Sequence, residues 1–75
     1  MDAIGNKIKA ELEEMLKKID DRPDFTHGVI LNAGNPENWQ RIINFIKENP
    51  DEADAETVSC YAVLIDDMTE KPYER

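Results

Sequence analysis

Proline and glycine partition this chain before any hydrophobic pattern is considered. Pro23, Pro36, Pro50 and Pro72, together with Gly34, mark off four segments. Proline lacks the N–H that an interior helical position donates, and its ring crowds the preceding turn. Regular structure must therefore start at these prolines or stop before them. Short elements of this kind are marginal alone and gain most of their stability by packing an apolar face on a neighbour.

The first segment, Asp2 to Ile19, carries Ile8, Leu12, Met15 and Ile19 at spacings of four, three and four, one face of a helix. Ile4 and Leu16 widen that stripe, and Glu13–Lys17 and Glu14–Lys18 have the spacing of favourable ion pairs. Asp20, Asp21, Arg22 and Pro23 end the helix. The third segment, Pro36 to Glu48, has Asn35 as N-cap, Pro36 as first helical residue and Glu37 at the positive helix end. Trp39, Ile42, Ile43 and Ile46 form its apolar stripe, with Phe45 beside it.

The second and fourth segments are ambiguous. From Asp24 to Gly34, Asp24 can cap a short helix and Gly34 can close it in the left-handed conformation, with Phe25, Val29 and Ala33 on one face. Val29, Ile30 and Leu31 compete as a strand. From Pro50 to Met68, Asn49-Pro50-Asp51-Glu52 repeats the cap-and-proline logic of Asn35-Pro36-Glu37, and Asp54 offers a second start one turn later. Ala55, Val58, Tyr61, Ala62, Ile65 and Met68 keep helical spacing, whereas Val58 to Ile65 is also rich in strand formers. The expected fold is all-α, a small bundle of three to four short helices with sequential helices antiparallel. The alternative is an α+β domain with residues 25–32 and 58–65 as strands. Residues 1–75 are expected to form a single helical domain with a frayed tail over 69–75, and Met1 suggests a complete product.

At 75 residues the chain supports one domain with a thin core, burying about 60% of the surface of its unfolded form. A deep active-site cavity would consume much of that core, unless several chains build one together. Net charge is −8. Residues 50–75 hold eight acids and two bases, whereas residues 1–22 and 23–49 are each net −1. Such a chain is repelled by nucleic acid and anionic lipid and attracts basic protein surfaces. Its single cysteine, Cys60, excludes an intrachain disulfide. No basic-then-apolar leader precedes the first helix, and the apolar run Tyr61 to Ile65 is far too short to span a bilayer. These features place the chain in the cytoplasm, away from membranes.

No motif specifies catalysis. His27 and Cys60 could make a nucleophile–base pair only if the fold brought them together, and Cys60 reads more simply as a partly buried residue. Asp51, Glu52, Asp54 and Glu56 lack the glycine and the ligand alternation of a calcium loop, and suit a solvated first helical turn. Gly28 and Gly34 lack phosphate-loop spacing. No catalytic, metal or cofactor-binding residue is expected. Trp39 beside Arg41 has the composition of a binding hot spot, although tryptophan in so thin a core is more simply structural. Asp66 and Asp67 oppose the helix dipole, a local cost that suggests a use for the charge.

The expected function is a small acidic protein-interaction module or regulatory subunit that binds a protein partner, a basic one being favoured, or a second copy of itself. Its expected interface is the acidic face of the fourth segment, Asp54, Glu56, Asp66, Asp67 and Glu70, with Trp39 and Arg41 nearby. The alternative is an acidic inhibitor or nucleic-acid mimic that blocks a basic surface without binding nucleic acid itself. An enzyme, or a subunit completing a shared active site, is the third reading.

Overall fold

Both ambiguous segments are helical. The computed structural model describes residues 3–69, with side chains in the last helix as far as Ile65. It contains α1 (Ala3–Ile19), α2 (Pro23–Ala33), α3 (Pro36–Glu48) and α4 (Ala55–Thr69), with no strand among the described residues. Residues 25–32 lie in α2 and residues 58–65 in α4. Their β-branched side chains take helical spacing because that puts them on one face: Thr26, Val29, Ile30 and Ala33 are buried, as are Val58, Ala62 and Ile65. Two isolated strands would have left backbone groups unpaired, whereas a helix satisfies its own. The expected tail begins at Thr69, which is the last residue of α4; residues 70–75 lie outside the described residues.

Helix starts differ from expectation at two places. The N-cap of α2 is Arg22, with Pro23 at the first helical position, so Asp24 falls inside the first turn instead of capping it. Asp20 fixes that start: it accepts the Arg22 backbone N–H at 3.0 Å and the Arg22 Nε–H at 3.0 Å. These hydrogen bonds hold the Asp20 carboxyl below its ordinary pKa. Asn49 does not open α4. Its backbone N–H and its side-chain Nδ2 both donate to the Phe45 carbonyl, at 2.9 and 3.1 Å, so it closes α3. The later start prevails: Asp54 Oδ1 accepts the Thr57 N–H at 2.8 Å, and Ala53 and Val58, in the N′ and N4 positions of a hydrophobic staple, both belong to the core.

The core stripe of α1 also turns slightly from expectation. Leu12 and Leu16 are fully buried, Ile8, Met15 and Ile19 pack at its edge, and Ile4 is exposed. Glu13–Lys17 and Glu14–Lys18 do not form ion pairs among the described residues; instead Glu11 reaches across to Lys47 of α3 at 3.2 Å. An exposed pair gains only a few tenths of a kcal/mol and costs side-chain freedom, so spacing alone does not secure it.

Sequential helices are not the main packing partners. α2 packs chiefly on α4, and α1 on α3. The reason lies in the two-residue connection between α2 and α3. Gly34 takes the left-handed conformation, φ 87°, and donates to the Ile30 carbonyl at 3.2 Å. Asn35 caps α3 by accepting the Asn38 N–H at 2.9 Å. The first turn of α3 then reaches back: Asn38 Nδ2 donates to the Ala33 carbonyl at 2.8 Å, and Trp39 Nε1 donates to the Ile30 carbonyl at 3.0 Å. The two helices are locked into a corner and cannot lie side by side.

Gly34→Ala forces a Cβ into a left-handed position and should cost about 1–2 kcal/mol. Gly28, inside α2, would place an added Cβ in open space. Gly28→Ala should therefore stabilise by about 0.5–1 kcal/mol. Thermal unfolding of the two variants should shift in opposite directions. Separately, Asn38→Ala leaves the Ala33 carbonyl without its side-chain donor and should lower stability by about 1–3 kcal/mol in urea titration; a neutral result would deny the corner its role.

Candidate functional site: an acidic aromatic groove between α3 and α4

Two open grooves formed by the described residues differ in charge. The first, about 560 Å³, runs between α1 and α2. Lys9, Glu13, Lys17 and Asp21 line one side of it, with Thr26, His27, Ile30 and Leu31 along its α2 side. Its formal charges compensate one another. Thr26 Oγ1 is buried nearby without a hydrogen-bond partner, yet it is closed off from solvent and offers nothing to a ligand.

The second groove, about 470 Å³, lies between the end of α3 and the outer face of α4. It is lined by Phe45, Glu52, Glu56, Thr57, Cys60, Tyr61 and Leu64. Each part has a local cause. The Asn49 cap ends α3 one turn beyond Phe45, and the Asp54 cap starts α4 five residues later, so the connecting turn carries Glu52 to the groove edge. Phe45 and Tyr61 stack with ring centroids 4.5 Å apart and planes inclined by 18°. Thr57, Cys60, Tyr61 and Leu64 follow a spacing of three, one and three, a second helical stripe beside the buried one of Val58, Ala62 and Ile65. Leu64 is 55% exposed and its neighbour Val63 51% exposed. Every ionisable carboxylate here is acidic and uncompensated: among the described residues neither Glu52 nor Glu56 has an ion-pair partner, while Glu11, Asp20 and Glu37 do.

The expected interface residues disperse. Glu56 lies in the groove. Asp54 is exposed beside it but is engaged as the α4 cap. Arg41 is exposed and pairs with Glu37 of its own helix at 3.2 Å. Trp39 is 5% exposed and committed to the corner through its Nε1–H, so its indole is not presented at the surface. The side chains of Asp66 and Asp67, and all of Glu70, lie outside the described residues. Phe45, Glu52, Cys60 and Leu64 join Glu56 in the groove although none belongs to the expected interface. Cys60 and Leu64 were legible as apolar residues off the core stripe, whereas Phe45 and Glu52 arrive only through the tertiary arrangement.

His27 and Cys60 line different grooves. Cys60 is exposed, contrary to the expectation of partial burial, because it falls two residues past Val58 and thus off the buried stripe. Among the described residues no group of three or more His, Cys, Asp or Glu is placed to hold a metal ion, and no helix is long and apolar enough to cross a membrane. Comparison with protein-family models, curated proteins and solved structures finds no match to the chain.

The cap at the groove edge gives a pH prediction. The Thr57 backbone N–H, and then the Thr57 hydroxyl, hold the Asp54 carboxyl below its ordinary value. The stability this contributes is complete above the unfolded carboxylate value of about 3.9 and is lost as pH falls through the lowered folded value. Asp54→Asn keeps a cap that does not titrate. Urea titrations should show the stability gap between the two chains constant near neutrality and changing only below about pH 4; a gap that changes between pH 5 and 7 instead would assign the effect to another group.

Proposed function

We propose that this chain is a non-enzymatic protein-interaction module of the cytoplasm that docks a protein partner in the α3–α4 groove. One observation carries the reading. Leu64, more than half exposed, lines a groove together with a stacked aromatic pair, on a helix whose opposite face already supplies the core. A half-exposed leucine alone needs no explanation. Apolar residues aligned along a concave surface with a polar rim have the anatomy of a binding site. The separation of His27 from Cys60 supports an interaction role over nucleophilic chemistry.

Cys60, the chain's sole cysteine, is exposed inside the groove and so serves as a reporter. A benzophenone attached to Cys60 should photo-crosslink to a discrete partner in lysate of the source cells. Leu64→Lys should weaken that adduct by tenfold or more, at about 1.4 kcal/mol per factor of ten. Leu31→Lys, at a still more exposed position on the other groove, should leave it unchanged. Equal loss in both variants, or no adduct from Cys60, would reject the groove as the docking site. The rival reading, an acidic inhibitor covering a basic nucleic-acid-binding surface, draws on the net −6 of residues 50–75. It requires an adduct that disappears at about 0.5 M salt, where the Debye length is about 4 Å.

A further inference from the structure

Resting on the reading of the α3–α4 groove as a docking surface, we infer that its occupant is a basic amphipathic helix of the partner protein. The argument begins with what covering the groove would cost. Any segment seated on Phe45, Tyr61 and Leu64 draws Glu52 and Glu56 away from water, because they form the rim of the same groove. Carboxylates that lose water without gaining a cation are strongly penalised. A neutral apolar segment would suffer that penalty in full, and an acidic one would add repulsion. A segment with Lys or Arg flanking an apolar stripe removes it by pairing with the two glutamates. The stacked rings add to the preference, since an ammonium or guanidinium beside an aromatic face is attracted by the ring quadrupole. The α1–α2 groove lacks this selectivity, because its lining carries two lysines, Lys9 and Lys17, and two carboxylates, Glu13 and Asp21, and so has no net formal charge.

The shape points to a helix. The described residues include no strand and hence no sheet edge for an extended peptide to join. Glu56 to Leu64 runs about 12 Å along α4, at 1.5 Å per residue. Two turns of a partner helix, with anchors at i, i+3, i+4 and i+7, cover about 10.5 Å. Apolar anchors would meet Leu64 and Tyr61, and basic residues on the flank would meet Glu52 and Glu56.

The probe is a synthetic amphipathic Leu/Lys helix of about 14 residues, titrated at low salt into the full-length, isotopically labelled chain. Controls are a Leu/Glu helix of the same pattern and an oligolysine of the same charge. The inference expects the Leu/Lys helix to shift the NMR resonances of Phe45, Tyr61, Cys60 and Leu64, and Glu52→Lys with Glu56→Lys to weaken it at least about tenfold. Both glutamates are exposed, so these variants should fold. Equal binding of the Leu/Glu helix would overturn the basic partner while leaving apolar docking in place. Equal binding of oligolysine would overturn the helix in favour of plain charge attraction. Shifts confined to Lys9, His27 and Leu31 would move the site to the other groove and overturn the inference. Groove shifts that depend on protein concentration alone would assign the groove to a second copy. Groove shifts produced by Lys71→Glu with Arg75→Glu, without peptide, would assign it to the chain's own C-terminal segment. Either result overturns the inference. Failure of all three peptides would also overturn it, and the Cys60 adduct then decides separately whether the groove docks anything.

Discussion

Two carbonyls at the end of α2 organise this molecule. The last four carbonyls of any helix lack intrahelical donors, and burying them unpaired costs about 1–3 kcal/mol each. Here the Ala33 carbonyl receives Asn38 Nδ2, and the Ile30 carbonyl, which already accepts the Gly34 N–H, receives a second donor from Trp39 Nε1, both from the first turn of the next helix. Both donor side chains are buried, so each hydrogen bond forms where water cannot compete. The arrangement requires the left-handed Gly34 and the Asn35 cap to stand between them. It fixes α2 and α3 at a corner, leaves α2 to pack on α4, and brings α1 onto α3.

That choice of partners shapes the surface. α4 buries Val58, Ala62 and Ile65 against its neighbours and turns Cys60 and Leu64 outward. α3 ends where Asn49 caps Phe45, and α4 begins only after the Asp54 cap, at Ala55. The separation between those caps creates the open edge at which Phe45 and Tyr61 stack. The groove is therefore a by-product of where two helices are capped. Its acidity comes from carboxylates that face no cation among the described residues.

Much of the fold was legible. The helical stripe of the third segment, the cap at Asn35, the proline start at Pro36 and the left-handed Gly34 appear in the structure as periodicity and cap chemistry require, and the first segment's stripe does so with its centre turned to Leu12 and Leu16. Local signals were less decisive where two of them competed. Asn49-Pro50 and Asp54 both look like helix starts; Asn49 instead closes α3 locally on the Phe45 carbonyl, and the Asp54 start goes with the burial of Ala53 in the core, which is a tertiary fact. Asn38 gave no sign of burial, because a polar residue in a first helical turn is ordinary at a surface. The acidity near Glu56 was visible as composition. Its juxtaposition with Phe45 and Leu64 was not, since those residues belong to different helices and to a face the core pattern does not describe.

The central claim is that Trp39 serves the corner and is not presented at the surface. Trp39 is the chain's sole tryptophan, so its indole N–H gives one unambiguous NMR signal. Hydrogen–deuterium exchange of that proton is the direct test. If the N–H is held by the Ile30 carbonyl in a closed core, it should exchange only through global unfolding, in step with the slowest backbone amides of α2 and α3. Exchange at the rate of a solvent-exposed indole would show the ring open to a partner, dissolve the corner, and return the interface to Trp39.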